Sequence, residues 1–246
     1  MAHLPGRPSK RVAVFAIGGG LSLVVVALLL VYFVIFPTSS PKPFTLSSST
    51  ASSTASSTSP TTQSSSDLSG KWGVASGSQA GYRVREKLAF LPAQSDAVGR
   101  TSQITGSATF SQSSGTVTIT AASFNVAVDT LKSDRSMRDE KIHEIGLESS
   151  RYPTATFALS TPLTVSASAL EGKVAHVSMT GVFNIHGSSK KETVPVEMSL
   201  SGSTFQAVGS FTFPWSEFGM TAPSVGGFVN VTGKATMEFD LHLQRA

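Results

Sequence analysis

The feature that most limits what this chain can fold into is the alternation between Lys173 and Lys191, KVAHVSMTGVFNIHGSSKK. Val177, Met179, Gly181, Phe183 and Ile185 interleave with His176, Ser178, Thr180, Val182, Asn184 and His186, the period of two that gives a strand one apolar face. The run ends at His186-Gly187-Ser188-Ser189, whose glycine and small hydroxyl residues suit a tight turn, and alternation resumes at Val194, Val196, Met198 and Leu200. The pattern predicts a hairpin, with Gly181 marking a bulge, a bend or a close backbone approach.

The same period recurs along the chain. Tyr82, Val84 and Glu86 alternate with Arg83 and Arg85; within Thr116 to Asp129, Val117 and Ile119 hold one parity and Phe124, Val126 and Val128 the other. A parity switch at Ala121-Ala122 implies a bulge if one face stays inside. Further strands are predicted near Arg100–Phe110, Thr154–Ser160, Thr204–Phe213, Phe228–Val231 and Ala235–Leu243, the last with Ala235, Met237, Phe239, Leu241 and Leu243 on one side. Ser133–Leu147 (SDRSMRDEKIHEIGL) breaks the pattern. Met137, Ile142 and Ile145 amid dense mixed charge predict one short amphipathic helix, capped by Asp134 or Ser133. About eight one-sided strands and a single helix indicate an all-β, closed antiparallel barrel, which leaves no exposed sheet edge; a two-sheet sandwich is the rival. A barrel of that size is just wide enough for a slender ligand, and the pattern alone leaves open whether it is filled or hollow.

The barrel region is expected to span residues 67–246, preceded by three segments of different character. Residues 1–11 are polar and basic, and residues 12–36 carry no charge. As a helix, residues 12–36 are about 37 Å long, more than the bilayer's hydrocarbon core of about 30 Å. They are therefore expected to be an uncleaved transmembrane helix, with a cleaved signal peptide or a buried core helix as the rival readings. Arg7, Lys10 and Arg11 would keep the N-terminus cytoplasmic and place everything after Pro37 outside. Residues 37–66 are almost entirely Ser, Thr, Pro and Ala, with Lys42 the only charge. They lack the apolar side chains to offset chain ordering and are expected to be a disordered tether with a reach of about 30 Å.

Only four of the 19 Lys and Arg precede Asp67, while all 15 Asp and Glu lie from Asp67 onward, so the domain is formally neutral. The high pI belongs to the N-terminal end, and the domain offers no nucleic-acid footprint. With no cysteine, disulfides, thiolate metal sites and a cysteine nucleophile are excluded. No G-x-S-x-G motif is present, and His143 has no second histidine four residues on. No catalytic residue, metal site or cofactor is expected.

Four stretches, in order, resemble the YceI-like family: Gly81-Tyr82-Arg83-Val84 with Val98-Gly99-Arg100-Thr101; Arg138-Asp139 followed by Tyr152-Pro153-Thr154-Ala155-Thr156-Phe157; Phe183-Asn184-Ile185-His186-Gly187-Ser188-Ser189-Lys190; and Phe218-Gly219-Met220. They cover nearly all of Gly70 to Leu243. The resemblance implies a lipocalin-like eight-stranded barrel whose elongated apolar cavity holds a long-chain isoprenoid or similar amphipathic lipid. It departs from the family at Ser78-Gln79-Ala80-Gly81-Tyr82, where many members carry a His-Ser-containing first strand, so no polar contact is carried over there.

By pattern, the inward strand faces are either ordinary core or cavity wall. The resemblance turns them into candidate lining: Val117, Ile119, Phe124 and Val126; Phe157; Val177, Met179, Phe183 and Ile185; Phe211 and Phe213; and Met237 and Phe239. His186, at the family-like turn, and the Arg138-Asp139 pair are candidate contacts for a polar head, with a structural turn residue and a helix-to-barrel ion pair as the plainer alternatives. The expected function is that of a membrane-anchored extracytoplasmic binding protein that sequesters or transfers such a lipid. The alternative is a stalk-displayed interaction or stress-protection module without a lipid.

Overall fold

The computed structural model describes residues 40–46, 67–88, 94–225 and 229–246. The expected transmembrane segment, 12–36, and most of the expected tether lie outside these residues. Among the described residues, no helix is long and apolar enough to cross a membrane.

Twelve strands form one antiparallel sheet: β1 (Gly70–Val74), β2 (Gln79–Leu88), β3 (Gln94–Thr101), β4 (Ile104–Ser113), β5 (Thr116–Ala127), β6 (Thr154–Leu159), β7 (Leu163–Ser166), β8 (Ala175–Ile185), β9 (Ser188–Ser201), β10 (Thr204–Phe213), β11 (Ser224–Val225) and β12 (Val229–Arg245). Three pairs of short strands share a place in the ring. The long β12 pairs with β2 along 229–240 and with β1 at 243–245; β3 pairs with β2 and β4 with β1; β6 and β7 both pair with β5. The ring is thus a closed eight-stranded barrel, as the alternation predicts, and not a sandwich.

The predicted hairpin is β8–β9. Ile185 pairs with Ser188, leaving His186 (φ 53°) and Gly187 (φ 72°) as a two-residue turn. Two positive φ values are what a primed turn needs to match strand twist. Gly181 is a close approach: a Cβ there would strike the Phe157 ring and stand 2.7 Å from the Ala158 carbonyl oxygen. The predicted bulge in β5 falls on Thr120, since Thr109 pairs with Ala121 and Phe110 with Ile119. It lets Val117 and Ile119 face inward together with Phe124 and Val126.

Several expectations need correction. The strand predicted at Arg100–Phe110 is two, because the chain bends at Ser102-Gln103, where the Thr101 hydroxyl accepts the Gln103 N–H at 3.0 Å. The two last predicted strands are one, joined through a register shift between Thr232 and Ala235. The helix begins later than expected, as α1 (Ser136–Lys141), continuing in a π-helical turn to Gly146. Neither predicted cap serves: Arg135 is at the N-cap, Ser133 donates its N–H to Asp139 at 2.8 Å, and Asp134 binds Arg138. Met137 is 68% exposed and belongs to no buried face. A second, four-residue helix, α2 (Ala167–Leu170), was not foreseen and buries Leu170.

Part of the expected tether is docked. Pro41–Leu46 lies against the outer wall: Arg83 donates to the Pro41 carbonyl at 2.7 Å, Arg100 to the Lys42 carbonyl at 2.6 Å, and the Phe44 ring lies 3.8 Å from the Arg100 guanidinium. Beneath it Glu238, 2% exposed, binds both arginines, at 3.3 Å for Arg83 and 2.7 Å for Arg100.

Candidate ligand-binding cavity

One end of the barrel is filled. Trp72 stacks on Phe110 at 5.3 Å, Phe205 meets Phe110 edge-on at 4.8 Å, and Val117 and Leu170 are fully buried. Toward α1 the interior opens into two apolar chambers. The first encloses about 810 Å³ of empty space, some of it continuous with solvent, between Phe110, Phe124, Phe157, Phe183 and Phe239. The second encloses about 630 Å³ on the same basis, beneath Leu131, Ile142, Leu147, Trp215 and Met220. Ala80, Val126, Ala155, Ile185 and Met237 belong to both walls, so the two chambers adjoin. Alanines make the room: Ala80, Ala108, Ala122, Ala155 and Ala207 stand in the first wall, where larger side chains would meet across the barrel.

Of the predicted lining, Ile119, Phe124, Val126, Phe157, Met179, Phe183, Ile185, Met237 and Phe239 bound the first chamber, and Phe213 bounds the second. Val117, Val177 and Phe211 do not line either. Val117 is sealed in the filled end against β7, Val177 packs at the edge of the core, and Phe211 is held by Phe183, Phe213 and Phe218 at 4.7, 5.0 and 6.5 Å.

None of the three polar candidates reaches either wall. His186 is buried beside the turn instead: its ring lies 4.4 Å from that of Tyr152, its Nδ1 is 3.3 Å from the Phe218 carbonyl oxygen, and its Nε2 is 3.3 Å from a Glu148 oxygen without hydrogen-bond alignment. Asp139 is spent on the Ser133 N–H. Arg138 holds α1 to the barrel, donating to Glu86 of β2 at 2.6 and 3.3 Å. Burial works against its charge, but the Glu86 and Asp134 carboxylates prevail and raise its pKa.

With both partners about nine-tenths buried, this is an ion pair whose single removal strands a charge. Arg138→Ala is expected to lower the unfolding free energy by about 2–4 kcal/mol. In native-state hydrogen exchange, Ile142–Leu147 should lose protection first; uniform loss would show that the pair does not hold the roof.

Tyr82 and Trp215, neither of them a predicted polar contact, contribute to the second wall. The Tyr82 hydroxyl and the Trp215 indole N–H are buried without a hydrogen-bond partner. Burial raises the Tyr82 pKa, so the phenol stays protonated.

Residues 73–243 match the YceI-like domain. The chain belongs to the YceI-like family. Among solved structures it resembles a polyisoprenoid binding domain from Saccharophagus degradans implicated in plant cell wall breakdown, with 12% identity, a TM-score of 0.53, and coverage of 72% of this chain and 99% of that one. It also resembles BcnA of Burkholderia cenocepacia (19% identity, TM-score 0.49, 69% and 98% covered) and the Campylobacter jejuni YCEI protein (12%, 0.45, 60% and 84%). No curated protein matches the chain. At these identities the likeness establishes the YceI-like barrel; what it holds must be argued from the chambers.

Proposed function

We propose that this YceI-like barrel binds a long-chain isoprenoid or similar amphipathic lipid without a catalytic step, and sequesters or transfers it at a membrane. The observation that carries this function is the pair of adjoining apolar chambers with a shared wall. Both are lined almost wholly by apolar side chains and adjoin within one barrel, an arrangement that suits a chain better than a compact ligand. Burying about 400 Å² of prenyl chain is worth about 10 kcal/mol at 25 cal/mol per Å², before the cost of ordering the chain. The S. degradans structure, described as a polyisoprenoid binding domain, supports the same ligand class.

Among the described residues the only large hydrophobics counted as exposed are Met137 and Val182. Those two are isolated residues and form no apolar docking patch among the described residues.

The uncharged run at 12–36 and the basic residues before it support a single membrane span with the barrel on the extracytoplasmic side. The full chain is expected to stay with membranes through alkaline carbonate extraction and, once purified, to take up a long prenyl lipid from vesicles at one per barrel. Release by carbonate would remove the anchor; failure to take up any prenyl lipid would remove the carrier.

A further inference from the structure

The low-complexity stretch 37–66 contains one charge, one aromatic ring and one leucine, and Lys42, Phe44 and Leu46 all fall within Pro41–Leu46. That is the segment docked on the outer wall. Phe44 and Leu46 are half-buried while Thr45 between them is exposed, the alternation of an extended segment with one side on a surface. Pro41 and Pro43 favour that shape. Each ring fixes its own φ, holds the residue before it extended, and leaves no N–H unpaired against the wall.

The wall is organised to meet such a segment. Arg100, Gly81 and Glu238 stand in one row across β3, β2 and β12. Gly81 lets the arginine cross, since a Cβ there would stand 2.9 Å from the Arg100 Cγ. Arg100 donates to one Glu238 oxygen from Nε at 3.0 Å and from Nη2 at 2.7 Å. Arg83 donates from Nε to the other oxygen at 3.3 Å and from Nη1 to Asp96 at 3.2 Å. Both guanidiniums are thus fixed from below, and each presents Nη2 to a main-chain carbonyl, that of Pro41 for Arg83 and that of Lys42 for Arg100. The Phe44 ring covers the Arg100 guanidinium, and the Leu46 N–H donates to Glu197 of β9 at 3.4 Å. Donors meet carbonyls at the N-terminal half and an acceptor meets an N–H at the C-terminal half, so the wall distinguishes the direction of the segment as well as its shape.

We propose that this outer wall is a recognition site for an extended proline-aromatic segment, and that the chain's own Pro41–Leu46 occupies it, clipping the linker to the barrel. Stretch 47–66 is then held at both ends, by Leu46 and by Leu68, whose N–H donates to Gln112 at 2.7 Å. Resting on the membrane span proposed above, the clip shortens the chain between span and barrel from 37–66 to 37–40, and its release restores the full length. The site itself is independent of what the chambers hold.

The chain has no cysteine, so Thr45→Cys, at an exposed position of the segment, gives the full chain a single attachment point for a nitroxide. Its electron paramagnetic resonance spectrum is expected to contain a slow component whose share does not change on dilution. Arg100→Lys keeps the charge on Glu238 paired but loses the planar fork. It should lower the ratio of docked to released segment about tenfold, as loss of a hydrogen bond and a ring contact would. Pro41→Ser combined with Pro43→Ser leaves the wall untouched and should lower that ratio about fivefold, through the greater freedom of the released chain.

A spectrum with only a fast component in the parent, a slow share that grows with protein concentration, or a slow share that either variant leaves unchanged would each overturn the clip. All of these are read without lipid, so failure of the clip leaves the lipid-binding function standing, and the reverse.

Discussion

Ala155→Trp is expected to cut the affinity for a long prenyl lipid by about 100- to 1000-fold while leaving the barrel folded. Ala155 stands in the wall common to both chambers, so an indole there divides the hollow. A chain confined to one chamber would bury about 200 Å² less, worth about 5 kcal/mol, partly returned because fewer bonds must be ordered. The added ring occupies existing space, so the melting temperature should change little or rise. Ala158, on the same strand but with the opposite parity, is exposed, and Ala158→Trp should bind lipid like the parent. Measured by lipid titration, equal affinity in the two variants would show that the ligand does not run through the barrel.

The second large effect lies on the outer wall. Glu238→Ala is expected to lower the unfolding free energy by about 2–4 kcal/mol, because a carboxylate that is 2% exposed is replaced by nothing while two guanidiniums remain. Arg83 keeps Asp96 at 3.2 Å, which moderates the loss, but Arg100 has no such second carboxylate among its described ion pairs. The same two arginines donate to Pro41 and Lys42, so Pro41–Leu46 should become protease-sensitive in the variant before the barrel unfolds. Urea denaturation and limited proteolysis read the two effects. A change below about 1 kcal/mol would place the cluster with ordinary exposed ion pairs.

Much of the barrel was legible because a strand with one wet face writes its period into the sequence. β8, β10 and the inward face of β12 were visible as alternation, and the bulge at Thr120 as a change of parity. What stayed hidden has physical causes. β1 is five residues long, too short for a period to emerge around Trp72. The break between β3 and β4 is the bend at Ser102-Gln103, held by the Thr101 hydroxyl, and no glycine or proline marks it in the sequence.

The cavity wall was readable where it is phenylalanine and invisible where it is alanine, because a hollow is made by what the small residues omit. Trp215 sits in a turn without periodicity, and Tyr82 looked like one more inward residue until Gly99 showed where its ring lies. His186 was misleading because its ring is buried against Tyr152 and the Phe218 carbonyl and lies in neither chamber wall.

The most direct test of a lipid-holding barrel is the mass of what the full chain carries when purified from its own membranes and sprayed under native conditions. A single discrete adduct, extractable into organic solvent and with the mass of a long prenyl chain, is the expected result. A bare chain that also stays bare after exposure to prenyl lipids, with side chains closing both chambers in a crystal, would contradict it.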